Sequence, residues 1–270
     1  MDKHEVILAL EGLLSEVVFG NGYLNYGYWP EGSPDQPAFE SINEAQERYF
    51  EKLLETIPAG VETILDVGSG TGSIAAGLSA RGFRVDCVSP SFTMNAMARR
   101  KLPASATVYD ARFEDLDIDA EYDLVLFCES FHYLDTRQAL ANVRRHALGH
   151  VLIFDYFRIH DGDRGDRTSH NQFVSLLTGP FASDFVTVRD EDVTPQVLPT
   201  LRVLHAIGNA HVKPFLCSFV AQLRRENSFY AFLLRWPLAR IARKAKMQSR
   251  RHESFARERE YRLILLERAR

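Results

Sequence analysis

The chain has 270 residues, 46% of them hydrophobic and 25% charged, a balance that supplies a sizeable core and excludes fibrous and disordered classes. No apolar run approaches the roughly 20 residues that a membrane span requires, and residues 6–14, which follow an acidic start and contain Glu11, lack the basic flank and length of a secretion signal. Net charge is −4, yet between Lys213 and Arg259 twelve Lys or Arg stand against three Asp or Glu. No RNA- or DNA-binding motif accompanies that basic stretch, so a solvated helical face is expected and no nucleic-acid partner.

Three cysteines, Cys87, Cys128 and Cys217, form no CxxC pair. This argues against zinc and a disulfide framework and points to a soluble protein of a reducing, cytoplasmic compartment. From residue 60 onward strand-like and helix-like segments alternate. Residues 63–67 form a short apolar strand ending in a glycine turn, 73–81 a helix stopped by Gly82, and 84–88 a second strand. Pro90 opens a helix in which Met94, Met97 and Ala98 share a buried face. Residues 106–109 are a third strand and 122–128 a fourth, strongly apolar one. Asp135 caps a helix that runs to about Ala147 and is ended by Gly149, which makes a metal pair from His146 and His150 improbable, and 151–155 give a fifth strand. This alternation predicts right-handed crossovers and a parallel sheet covered on both faces.

The second half departs from that rhythm. A polar loop over 161–169 leads to a helix about 173–177 and a strand about 185–189. Pro214 begins a helix with Phe215, Leu216, Phe219, Val220 and Leu223 as its apolar stripe, and Pro237 kinks or divides the basic stretch that follows. Residues 261–267, YRLILLE, close the chain as a buried strand.

Ligands of open α/β sheets bind beyond the carboxyl ends of the strands, and the turn after the first strand is the usual anchor. That turn reads DVGSGTG at 66–72. Its glycines let the backbone approach a ligand, and the following helix offers free N–H groups. The spacing of Gly68, Gly70 and Gly72, with Ser73 next, departs from the GxGxxG of dinucleotide sites. Asp66 would also set a carboxylate against two phosphates, whereas it suits a ligand carrying an ammonium and a sulfonium.

ILDVGSGTG at 64–72 resembles motif I of the class I methyltransferases that use S-adenosylmethionine, and the likeness covers residues 23–155. It implies a Rossmann-like, doubly wound α/β fold: a mostly parallel seven-stranded sheet with the last strand antiparallel, an N-terminal helical segment and a helical insertion before the last strand. The resemblance further implies one domain over 1–270, with a lid over 1–50, a cofactor-binding core over 51–157, a substrate cap and helical insertion over 158–260 and the final strand over 261–270. The cofactor it implies is S-adenosyl-L-methionine, with Asp66, Gly68, Ser69, Gly70 and Gly72 around it. NYGYW at 25–29 is similar to the N-terminal segment of the tocopherol and sarcosine types, where aromatic rings lid the cofactor; Tyr26 and Tyr28 are the candidates, while Trp29 reads equally as a hydrophobic plug. YDARFED at 109–115 matches the stretch that flanks adenine, giving Arg112, Phe113 and Glu114, with Phe113 equally plausible as core. The second strand of that family commonly ends in an acid that takes the ribose hydroxyls; Ser89 stands there, with Pro90, Ser91 and Met94 following, and Asp86 points elsewhere.

Cys128 and Glu129 end the fourth strand beside the reactive end of such a cofactor, and His132 follows. Methyl transfer requires alignment of the acceptor, shielding from water, and a base only where the acceptor loses a proton. His132 or Glu129 is the candidate base, with Tyr26 and Tyr28 completing the catalytic set; His132 reads equally as a packing residue. Tyr156 lines the substrate side, residues 191–194 cap a helix, and Phe215, Phe219, Phe229, Tyr230, Phe232 and Trp236 either roof an apolar substrate or form helix core. A small-molecule acceptor and release of S-adenosylhomocysteine is the leading reading. The alternative is attack by the cofactor's own amine or carboxylate with release of methylthioadenosine; a non-catalytic cofactor- or RNA-binding protein ranks third.

Overall fold

A computed structural model describes residues 3–34, 37–160, 168–207, 209–210, 213–226, 255 and 257–269. Helix α1 (Lys3–Leu14) runs into a π-helical turn (Ser15–Phe19) and an irregular segment before α2 (Ser41–Thr56). The alternating part follows as β1 (Thr63–Val67), α3 (Ser73–Ala80), β2 (Arg84–Ser89), α4 (Phe92–Lys101), β3 (Val108–Asp110), β4 (Tyr122–Cys128), α5 (Thr136–His146) and β5 (Ala147–Arg158). Then come α6 (His170–Thr178), β6 (Phe185–Asp192), α7 (Thr194–Ile207), α8 (Lys213–Glu226) and β7 (Arg259–Arg268).

The seven strands lie in the order β3-β2-β1-β4-β5-β7-β6. The first five pair parallel, and β7 runs antiparallel between β5 and β6. The order reverses between β1 and β4, and the crevice in which ligands of such open sheets bind belongs beyond their carboxyl ends. Both faces of the sheet are buried. One packs Ile64, Leu126, Phe154 and Tyr261 under α2 and α3; the other packs Leu65, Phe127, Ile153 and Ile264 under α5 and α6. Such strands read as continuous apolar runs, which is why β1 and β4 are so plain in the sequence. Tyr49 of α2 stacks on Phe154 at 3.9 Å and donates its hydroxyl to the Phe154 carbonyl at 3.0 Å, fixing α2 beneath the centre of the sheet.

Several boundaries differ from the sequence reading, each for a local reason. The fourth helix starts at Phe92, not Pro90, because the Ser91 side chain accepts from the Met94 N–H as its N-cap. On that helix Met94 and Ala98 are buried, and Met97 lies against Gly12 of α1. Gly149 stops no helix: α5 ends at His146 and β5 begins at the next residue, so Gly149 is a strand residue. Helix α2 crosses residue 50, the expected boundary between lid and core. Helix α7 carries Pro199 internally and follows an Asp192 carboxylate that accepts from the Thr194 N–H. Phe215 and Phe219 of the expected α8 stripe are exposed. The side chains of Leu216, Val220 and Leu223, and residues Phe229, Tyr230, Phe232, Trp236 and Pro237, lie outside the described residues. Among the described residues no helix is long and apolar enough to cross a membrane.

Asp135 is the expected N-cap of α5, its carboxylate accepting from the Gln138 N–H at 2.9 Å. Asp135→Ala is expected to cost about 1 kcal/mol, seen as a small fall in urea midpoint with unchanged slope. No change in midpoint would mean that α5 is held by packing alone.

Candidate active site

The turn after β1 is built on left-handed glycines: Gly68, Gly70 and Gly72 have φ of 74°, 53° and 79°. A β-carbon on Gly68 would collide with Ser130, and one on Gly72 would lie 2.6 Å from the Ala98 Cα. Gly70 meets only the flexible Leu24 side chain, at 3.1 Å. Two of the glycines thus serve packing against the β4 loop and α4, while the third faces only a movable side chain. Ser69 closes the turn by accepting the Gly72 N–H on its carbonyl. Asp66, at the end of β1, is fully buried and its Oδ2 has no partner; burial alone pushes its carboxyl up to about 7.

Across the crevice, β4 ends in Cys128, whose buried thiol is pushed up by desolvation first and then by Asp66. Glu129 follows at φ 57°, alone among the described non-glycine residues in having positive φ. Such backbone in an acidic residue persists only where the surroundings impose it. Its N–H donates to the Phe154 carbonyl, its Oε1 accepts from the Tyr26 N–H at 3.0 Å, and the Tyr261 hydroxyl reaches the same carboxyl. Burial first, and Asp155 second, raise Glu129 well above the usual carboxylate range, so this side chain favours the neutral acid. Ser130 donates to the Val67 carbonyl, tying the loop to the glycine turn.

The next turn, Phe131–Tyr133, carries His132 onto the end of β5. Asp155 accepts from the His132 backbone N–H at 3.1 Å, from the Tyr156 N–H at 2.7 Å and from His132 Nδ1 at 2.8 and 3.0 Å. A carboxylate can only accept, so a hydrogen sits on Nδ1, and in the neutral imidazole the lone pair is then on Nε2. That Nε2 is buried and has no partner. The imidazole stacks on Tyr156 at 4.2 Å and against Tyr133 at 3.9 Å. The dyad has the geometry of a general base with a fixed tautomer.

The N-terminal segment lies over this crevice. Thr71 donates to the Gly22 carbonyl, Ser73 to that of Asn21, and Lys101 pairs with Glu16 at 2.9 Å. The Glu5 carboxylate accepts from the Ser91 hydroxyl at 3.0 Å and the Thr93 N–H at 3.3 Å. Tyr26 packs edge-on against Phe255 and Tyr261, 6.2 and 6.5 Å away, and burial raises its hydroxyl.

Of the residues expected at a site, Tyr26, Asp66, Gly68, Ser69, Gly70, Gly72, Cys128, Glu129 and His132 converge at the carboxyl ends of β1 and β4. Others do not. Tyr28 sits against Lys52, whose Nζ is 5.6 Å from its ring, because its N–H and carbonyl are held by Ala45 and Arg48 of α2. Trp29 is buried and donates to Thr200, as a plug does. Arg112 points outward and pairs with Glu114 at 3.0 Å, and Phe113 is core, edge-on to Phe127 at 5.5 Å, because a single 3-10 turn rolls it under the sheet. Ser89 is buried and accepts the Ser91 N–H, Pro90 is exposed, and Met94 packs toward α1. Asp86 does point away, accepting from Thr107 N–H and the Tyr122 hydroxyl. His146 donates Nδ1 to the Ala120 carbonyl within the core, and no group of three or more metal-ligating side chains occurs among the described residues. Asp155 and Tyr261, both central to the site, carry no local sequence signal beyond lying at the ends of apolar strands.

A family model described as a methyltransferase domain matches residues 64–147, from β1 to the start of β5. A malonyl-[acyl-carrier protein] O-methyltransferase of Geobacter sulfurreducens is 30% identical over 219 residues, covering 68% of this chain and 79% of the relative. Against the first curated relatives the chain spans about half of their length or less. Among solved structures, a putative sarcosine dimethylglycine methyltransferase from Galdieria sulphuraria superimposes with a TM-score of 0.69 at 18% identity, over 96% of this chain and 98% of that one. The [4+2]-cyclase SpnF gives the same score and identity over 98% and 94%.

Proposed function

The chain belongs to the class I methyltransferase family, and on that premise we propose that it methylates a hydroxyl of a small-molecule acceptor, using S-adenosylmethionine and leaving S-adenosylhomocysteine. The observation that carries this reading is His132: a buried, unpartnered Nε2 whose tautomer Asp155 fixes, on the loop that packs against the glycine turn. The cradle fits the cofactor. At Gly70 a single flexible side chain, that of Leu24, stands against the turn, and Asp66 keeps a buried carboxylate oxygen without a partner, which a cationic ligand group would satisfy. Asp66, Gly68, Ser69, Gly70 and Gly72 would hold it, with Cys128, Glu129 and Tyr26 at its reactive end. When bound, it supplies a methyl carbon on a sulfonium that departs as a neutral thioether.

His132 takes the acceptor's proton on Nε2 while Asp155 stabilises the imidazolium that results. Burial and Asp155 push the Glu129 carboxyl upward, which opposes a second negative charge beside Asp155. Tyr26 and the segment before it exclude water, which strengthens every charge interaction beneath them. The segment ahead of α2 acts as the lid and the elements after β5 as the acceptor cap. Two buried cysteines in the free thiol form support a reducing, cytoplasmic setting.

Incubation with S-adenosylmethionine and a panel of hydroxylated small molecules is expected to yield S-adenosylhomocysteine by mass spectrometry, and none without acceptor. Methylthioadenosine from the cofactor alone would replace methyl transfer with the intramolecular reaction.

A further inference from the structure

The strand that completes the sheet brings one cation to the acceptor side of this site. Arg259 opens β7, and its guanidinium carbon lies 4.8 Å from the Tyr156 ring centre and 5.6 Å from that of Phe255. Tyr156 is the ring stacked on His132, and Phe255 packs edge-on against both Tyr156 and Tyr26. Among the described residues no carboxylate pairs with Arg259; aromatic faces are its neighbours. Arg262, three residues on, shows the contrast, bound by Asp190 at 2.6 Å and Glu260 at 3.4 Å. The strand register also sets Arg259 opposite Arg158, so two basic residues share this corner of the sheet.

A guanidinium seated against aromatic rings spends none of its N–H donors on them, and its planar edge matches a carboxylate in two parallel hydrogen bonds. Aromatic surroundings weaken competition from water and make such a pair more selective than one at an open surface. We propose that Arg259 anchors a carboxylate of the methyl acceptor, which makes the substrate a small hydroxy acid with an apolar body. The carboxylate sits on the Arg259 edge, the body lies against Tyr156 and Phe255, and the hydroxyl comes to His132 Nε2. This rests on the methyl-transfer reading for the role of the hydroxyl, but the anchor itself is measurable by binding alone.

The probes are 3-hydroxybenzoate and its methyl ester, titrated by calorimetry into protein saturated with S-adenosylhomocysteine. The acid is expected to bind at least tenfold tighter than the ester, as a charge-assisted pair is lost in the ester. Arg259→Gln is expected to equalise the two, and Arg259→Lys, which keeps the charge without the fork, to retain a preference of a few fold; S-adenosylhomocysteine affinity should be unchanged in both, reporting an intact fold. Equal binding of acid and ester by the unaltered protein, binding of neither, or an undiminished preference in Arg259→Gln or Arg259→Lys overturns the anchor. An acid preference that depends on Arg259 but is accompanied by no methyl transfer to any hydroxy acid overturns the methyl-transfer reading and leaves the anchor standing.

Discussion

Replacing His132 with glutamine is expected to lower kcat by about 10²- to 10⁴-fold, the range a positioned general base contributes, while leaving S-adenosylmethionine affinity within about threefold. The cause is specific to one atom. Nδ1 is committed to Asp155 at 2.8 Å, so Nε2 alone can accept a proton, and it is buried with nothing else to bond. Asp155→Asn should cost a comparable factor by a different route, since an amide can donate to Nδ1 and leave the wrong nitrogen bearing the hydrogen. Glu129→Gln serves as the counter-experiment. Burial and the nearby Asp155 already hold that carboxyl toward its neutral form, so an amide in its place should alter kcat by less than about tenfold. A large loss from Glu129→Gln with a small loss from His132→Gln would transfer the role of base to Glu129.

Asp66→Asn is expected to stabilise the ligand-free protein at neutral and higher pH while weakening its hold on the cofactor. Burial places the folded-state carboxyl at about 7, far above the value of an unfolded aspartate. Below pH about 3 both states are protonated and Asp66 costs nothing. As pH rises the unfolded chain ionises first, so folding becomes progressively less favourable until the folded carboxyl ionises too near 7. The full penalty is on the order of 4 kcal/mol, and the part that develops between pH 5 and pH 8 is roughly 2–3 kcal/mol. Urea unfolding of both proteins at the two pH values isolates it: the advantage of Asp66→Asn should grow by that amount, and an equal advantage at both would sink the assignment. Affinity should move the other way. A cation beside Asp66 favours the ionised form, so S-adenosylmethionine binding should tighten from pH 6 to pH 8 in the native sequence and become flat in the variant. At pH 8 the variant should bind about tenfold to hundredfold more weakly. Both results together would show an acid that trades stability of the empty fold for recognition of a positively charged ligand.

Much of the core is legible because its signals are local. Strands β1 and β4 are continuous apolar runs with a glycine turn or a polar loop beyond them, and both are read to the residue. Asp135 and the Asp192–Thr194 turn are equally plain, since capping depends on residues two or three apart. The failures share the opposite property. Strand β5 is twelve residues long, not five: β4 pairs with its start at Ala147, and β7 carries it on to Arg158, where that partner lies over a hundred residues away in sequence. Helix α7 is announced by its cap at 191–194, but its length is not: Pro199 reads locally as a breaker, and tertiary packing of Val197 and Val203 tolerates it. Phe113 and Arg112 stand in the stretch expected to flank the ligand, yet a single turn sends one into the core and the other to solvent. In the site, His132 and Glu129 announce themselves as polar groups after a buried strand. Asp155 has the same setting, but its link to His132 spans 23 residues and follows only from the pairing of β4 with β5.

The position of β7 governs when, during synthesis, this protein can exist at all. Strands β1 to β5 can assemble in chain order as they leave the ribosome, each beside one already made. Strand β6 cannot: its sole partner in the sheet is β7, whose first residue is Arg259. Some seventy residues of nascent chain must therefore wait with the β5 edge bare, and closing so long a loop is slow. Tyr261, which reaches Glu129, and Arg259 beside Tyr156 arrive with that same strand. A ribosome-bound intermediate would hold the glycine turn and the His132–Asp155 dyad, yet it would lack the wall that faces the acceptor.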